Sequence, residues 1–131
     1  KLKADFAAGF CDDAQTKAVI KEIYDKYSYT LDTHTAVAVK VYEDYKKATG
    51  DNTKTVIAST ASPYKFSTAV LEAIEGKVSD MDEFDKVERL HEVSGYDVPK
   101  SLAELKNKPI RFTGAIGRDE MKDFVLKSLS L

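Results

Sequence analysis

Apolar residues recur at three- and four-residue intervals through most of this chain, a spacing that commits it to helices buried by one face. After Asp12, the positions Val19, Ile20, Ile23, Tyr24 and Tyr27 follow that rhythm, and Asp12 with Gln15 stands at capping-box spacing. The pattern predicts a helix over about Asp13 to Tyr27. Thr33 is placed to cap a second helix whose stripe is Val37, Val41, Tyr42 and Tyr45, and Gly50 stops it. Ser62 offers another cap, with Pro63 at the first helical position, for a helix through Phe66, Val70, Ala73 and Ile74 to Gly76. Ser79 with Asp82 opens a helix carrying Met81, Phe84, Val87, Leu90 and His91; Ser101 with Glu104 opens a brief one; the stretch from Arg118 closes the chain.

Between these helices lie shorter apolar runs. Thr55-Val56-Ile57-Ala58 is continuous rather than alternating, as expected of a central strand covered on both faces. Ile110 to Ala115 reads as a last strand, and Phe6 to Phe10 as a strand or buried turn. The expected fold is therefore α/β and helix-rich, with two or three short strands of a parallel sheet covered by helices. Residues 1–131 contain no repeat, low-complexity tract or long linker, so a single domain is expected. A chain of this length can bury roughly two thirds of its unfolded surface.

Charge and composition exclude several classes. Twenty Lys and Arg against 22 Asp and Glu, spread along the chain, leave no basic footprint, so neither nucleic acid nor anionic membrane is expected as a partner. No apolar run approaches the roughly 20 residues of a membrane span. A cytoplasmic location follows as the expectation. The single cysteine, Cys11, cannot form an internal disulfide, and with only His34 and His91 beside it no metal site is expected.

One segment invites a ligand. Ala58-Ser59-Thr60-Ala61-Ser62-Pro63 places three hydroxyls on a turn into a helix, suited to a phosphate or a neutral heterocycle nitrogen. The same hydroxyls can serve only as caps and turn bonds.

The run Tyr29-Thr30-Leu31-Asp32-Thr33-His34-Thr35-Ala36-Val37-Ala38, followed by Thr55 to Pro63 and Tyr64-Lys65-Phe66, resembles the later part of bacterial threonine synthase, over about Phe6 to Val70. Members of that family are pyridoxal-phosphate enzymes of fold type II that convert O-phospho-L-homoserine and water to L-threonine and phosphate. The resemblance implies that Thr60, with Ser59 beside it, belongs to the cofactor site, the Thr60 hydroxyl meeting the pyridine nitrogen. It implies that His34 and Thr35 line the substrate channel, although Thr35 could instead pack and His34 bond a neighbouring carbonyl. Lys65 could steer the substrate phosphate or be merely solvated. Two departures stand out. Thr33 replaces the proline of the family's Asp-Pro-His-Thr-Ala, and Ser62 replaces the histidine of Thr-Ala-His-Pro, so no acid or base role carries over to Ser62.

The chain holds six scattered glycines, none in a phosphate-cradling cluster, and no assignable Schiff-base lysine. The expectation is a C-terminal portion of a larger enzyme, without catalytic residues of its own, binding no cofactor alone, and completed by a missing N-terminal portion. Self-association through the surfaces left uncovered is expected too. Two other readings stay open: a non-catalytic α/β binding or regulatory module sharing ancestry with the family, and a small phosphate-binding enzyme using the Thr60 turn.

Overall fold

Four helices fold around a common core in the first of two compact units, Lys1–Lys100 and Ser101–Leu131. The computed structural model describes residues 5–78 and 80–130. In the first unit α1 (Asp13–Tyr27) packs on α2 (Thr33–Thr49) and on α3 (Ser67–Glu75), and α3 packs on α4 (Glu83–Ser94). A 3-10 turn, Pro63–Phe66, leads into α3.

The helices begin where the capping chemistry allows. Asp12 caps α1 by accepting from the Gln15 N–H at 2.8 Å while Gln15 Oε1 accepts from the Asp12 N–H at 3.0 Å, so two otherwise orphan donors are satisfied. Asp32, not Thr33, caps α2, and Thr33 is that helix's first residue. Gly50 ends α2 at φ 71, in the left-handed region where a side chain costs most. Asp82 caps α4, while Ser79, expected to share that role, lies outside the described residues.

Helix α3 carries the core. Its Val70, Leu71 and Ile74 are buried together with Val19 and Ile20 of α1 and Val87 and Leu90 of α4, the helices it packs against, and Leu31, Ala36, Tyr64 and Val78 complete the buried apolar set. Polar links at the rim hold the helices in register. Tyr24 donates to the Val93 carbonyl at 3.0 Å, the Tyr64 hydroxyl donates to the Tyr96 carbonyl, and His91 Nδ1 lies 2.7 Å from that same carbonyl. Lys17 pairs with Glu72 at 2.6 Å, and Arg89 grips Glu75 through two nitrogens at 2.5 and 2.9 Å.

These pairs set an acid limit. The hydrogen bonds from Lys17 and Arg89 hold the Glu72 and Glu75 carboxyls below the ordinary glutamate range. A depressed carboxyl contributes stability above its unfolded pKa of about 4.3, and that contribution disappears as pH falls through the lowered folded value. The urea midpoint should therefore hold from pH 7 down to about 5 and drop below that. Glu75→Gln should flatten the drop, and a midpoint insensitive to acid in the wild type would remove these pairs from the account.

The expected sheet is absent: among the described residues no strand occurs, and the architecture is helical. Thr55 to Ala58 is irregular, with Val56 90% exposed. Ile110 to Ala115 is irregular as well, with Ile110 and Phe112 exposed. Phe6 to Phe10 is irregular and exposed rather than a strand or buried turn; Gly9 comes so close to α2 that a Cβ there would meet Val41 Cγ1 at 2.9 Å, while Phe6 and Phe10 face solvent. A strand needs a neighbour to take its alternating N–H and C=O groups, and none of these runs has one. A short apolar run fits a strand or an open segment equally, because strand propensity measures packing in an existing sheet rather than a backbone preference.

The second unit holds a helical turn, α5 (Lys100–Ala103, beginning one residue earlier), two 3-10 turns at Glu104–Asn107 and Arg118–Glu120, and α6 (Met121–Ser128). None of its described residues is buried, and Met121, Phe124, Val125 and Leu129 all lie exposed.

Candidate functional site

Two sequence segments, 29–38 and 55–66, meet at the N-terminus of α2. Asp32 is the pivot. Its Oδ1 accepts from the backbone N–H of His34 at 2.9 Å and of Thr35 at 3.3 Å, and its Oδ2 accepts from the Thr35 hydroxyl. The carboxylate is 1% exposed, and Thr35 is buried beside it. The Thr35 hydroxyl also pairs with Ser59 Oγ at 3.1 Å, bridging α2 to the segment that precedes the 3-10 turn.

His34 reaches out toward solvent from the same start of α2, its Nδ1 3.5 Å from Asp32 Oδ1 and 3.5 Å from Thr33 Oγ1. Its ring is exposed and tilts against Phe66, with centroids 5.0 Å apart, which ties the start of α2 to the 3-10 turn a second time. Beside it opens a pocket of about 400 Å³ lined by Cys11, Thr16, Lys17, Thr33, His34 and Val37, among others. Cys11 Sγ lies 3.2 Å from Thr16 Oγ1 and packs as a small residue at the edge of α1. Among the described residues no cluster of His, Cys, Asp and Glu could hold a metal ion.

The remaining candidates divide by accessibility. Ser62 accepts from the Tyr64 N–H at 3.3 Å and its carbonyl accepts from Lys65 N–H at 3.0 Å, so it is the cap its position suggests. Ser62→Ala should cost about 1 kcal/mol, read as a shift of the urea midpoint with the helical signal intact. Lys65 is exposed, its ammonium 5.4 Å from the Phe66 ring centroid. Thr60 is exposed, and its hydroxyl makes no hydrogen bond among the described residues. It sits one residue from the Ser59 anchor and two from the Ser62 cap.

Sequence reasoning named Thr35 and Ser59 but not the residue that joins them. The signal was available: Asp immediately before a helix is among the preferred N-caps, and Thr three residues later lies within reach of the same carboxylate.

The family described as threonine synthase, C-terminal, matches residues 35–125, more than half of the chain. The chain belongs to that family. Human threonine synthase-like 1 is 35% identical over 83 residues, covering 63% of this chain and 10% of the human protein. The mouse protein of the same name is 39% identical over 74 residues, 56% of this chain and 10% of its own length. Threonine synthase of Methylobacillus glycogenes is 35% identical over 72 residues, 55% of this chain and 14% of that enzyme. The chain thus spans about a tenth of the length of the curated relatives it matches.

Proposed function

We propose that this chain is the C-terminal part of a pyridoxal-phosphate-dependent threonine synthase, acting in the cytoplasm on O-phospho-L-homoserine and water to give L-threonine and phosphate. The observation that carries the reading is Thr60: an exposed residue between an anchored Ser59 and a capping Ser62, its hydroxyl making no hydrogen bond among the described residues.

The donor set fits a neutral ring nitrogen. A hydroxyl can give one hydrogen bond without imposing a charge, whereas a carboxylate in its place would favour the protonated ring. When bound, pyridoxal phosphate supplies the electron sink for the chemistry at the substrate carbon. Thr60 would donate to the pyridine nitrogen. Ser59 holds Thr60 in place from below. His34 would border the approach of a substrate, although the pocket it lines includes none of Ser59, Thr60 and Lys65, and Lys65 offers a cation that favours the approach of a phosphate. Thr35 faces Asp32 and Ser59, so its contribution reaches the ligand through them. The Schiff-base lysine, the glycine-rich loop for the cofactor phosphate and the principal substrate-phosphate site come from the rest of the polypeptide.

Two consequences follow for the isolated chain. It should be folded but silent: with pyridoxal phosphate and O-phosphohomoserine it should release no phosphate, and saturable 1:1 binding with turnover would refute the assignment. Exposed Phe6, Phe10, Val56, Phe112 and Phe124 should also drive self-association, because exposed apolar patches are costly to leave open. Sedimentation should give a dimer or larger species at high concentration, and a clean monomer would count against it. The reading itself is tested by the coding sequence adjoining Lys1. An in-frame upstream segment with a Schiff-base lysine and a glycine-rich phosphate loop is the expected finding, and a true start codon near Lys1 would overturn it.

A further inference from the structure

Three helices of the first unit are capped by aspartate, but only one of these caps is buried. Asp12 and Asp82 accept from their helices' N–H groups while exposed to water. Asp32 does the same work with its side chain fully withdrawn from solvent. Capping does not require that burial, which costs hydration, and a serine or asparagine would cap as well. The second oxygen supplies the difference. Oδ2 is occupied by the Thr35 hydroxyl, and that hydroxyl continues to Ser59.

The direction of these bonds is fixed by what each group can do. A carboxylate accepts and cannot donate, so the single hydroxyl hydrogen of Thr35 goes to Asp32. The Thr35 oxygen is then left as an acceptor, and the Ser59 hydroxyl donates to it. Polarised by the carboxylate behind it, Thr35 is a stronger acceptor than a lone hydroxyl.

The segment this chain of bonds reaches has little else to hold it. From Thr53 to Ala61 there is no helix, the remaining hydrogen bonds are local turns, and the contact of Ser59 with Thr35 is the one hydrogen bond among the described residues that joins the segment to another element. With Val56 90% exposed, apolar burial does little there.

We infer that Asp32 is a positioning residue: through Thr35 it locks the Ser59 hydroxyl inward and thereby fixes the backbone from which Thr60 presents its own hydroxyl outward. This rests on the proposed role of Thr60 in the cofactor site and assigns Ser59 to anchoring rather than to ligand contact. Asp32 and Thr35 touch neither cofactor nor substrate in this arrangement; they act by limiting where Thr60 can be.

The test separates the anchoring from the cofactor reading. In the 131-residue chain without cofactor, backbone amide relaxation should give Ser59 and Thr60 order parameters near about 0.85, as for ordered backbone. Thr35→Val keeps the side-chain shape and leaves Asp32 free to cap, so α2 should persist while Ser59 and Thr60 fall below about 0.6. Thr35→Ser should restore them, and Asp32→Ser, which keeps a cap and the Thr35 hydroxyl but withdraws the carboxylate that orients it, should lower them by less than Thr35→Val does. If Asp32→Ser does not fold, Thr35→Val decides. Order at Ser59 and Thr60 unchanged in Thr35→Val, with α2 intact, overturns the inference whatever the cofactor does. In the full-length enzyme, Thr35→Val should lower kcat about tenfold with KM little changed, and Thr35→Ser should recover it. Loss of order without loss of turnover would leave the anchor standing and refute the assignment of Thr60 to the cofactor.

Discussion

Leu71→Ala should destabilise the first unit by about 2 to 5 kcal/mol, enough to consume most of the stability of a small domain. Leu71 is fully buried on α3, the helix that packs against both α1 and α4, so the cavity opens where neither neighbour can collapse without moving the other. Val56→Ala provides the contrast. In a sheet-centred fold Val56 would be core and its truncation would cost of the order of 1 kcal/mol or more; in the helical fold, 90% exposed, it should change stability by less than about 0.5 kcal/mol. Urea unfolding of both variants checks the architecture with one assay. A large loss at Val56 and a small one at Leu71 would reverse it.

Thr60→Val in the complete enzyme should carry the largest functional effect. The change keeps the shape and removes the donor, leaving the ring nitrogen unpaired in a dry site at about 1 to 3 kcal/mol. Because that bond bears on how the ring holds negative charge, most of the loss should fall on turnover, about ten- to a hundred-fold, with a smaller change in KM. Ser62→Ala should leave turnover nearly intact, since Ser62 caps the 3-10 turn. An unchanged cofactor spectrum and turnover in Thr60→Val, or abolished turnover in folded Ser62→Ala, would exchange the roles assigned to these two hydroxyls.

What could be read from the sequence was what is local. Helix positions follow from periodicity and from caps within four residues of the helices they start, so Asp12 with Gln15, Gly50 and the Ser62-Pro63 start were all visible. The strands were not, because Thr55 to Ala58 and Ile110 to Ala115 have a composition that suits a sheet, and whether a sheet exists depends on partners elsewhere in space. His91 shows the same limit: its spacing puts it on the stripe of Phe84 and Val87, yet it is exposed, turned toward the Tyr96 carbonyl at the end of its helix. The candidate site was half legible. Thr35, Ser59 and Thr60 were named from motif resemblance, but the bond across 24 positions between Thr35 and Ser59, and the buried carboxylate behind it, are products of tertiary packing.

The most direct measurement is an assay of the full-length polypeptide loaded with pyridoxal phosphate, following phosphate and threonine together from O-phospho-L-homoserine. Equal amounts of the two products are expected, formed at a rate that Thr60→Val lowers at least about tenfold. A folded, cofactor-loaded polypeptide that forms neither product would contradict the proposed function, and one whose rate ignores Thr60 would contradict the site.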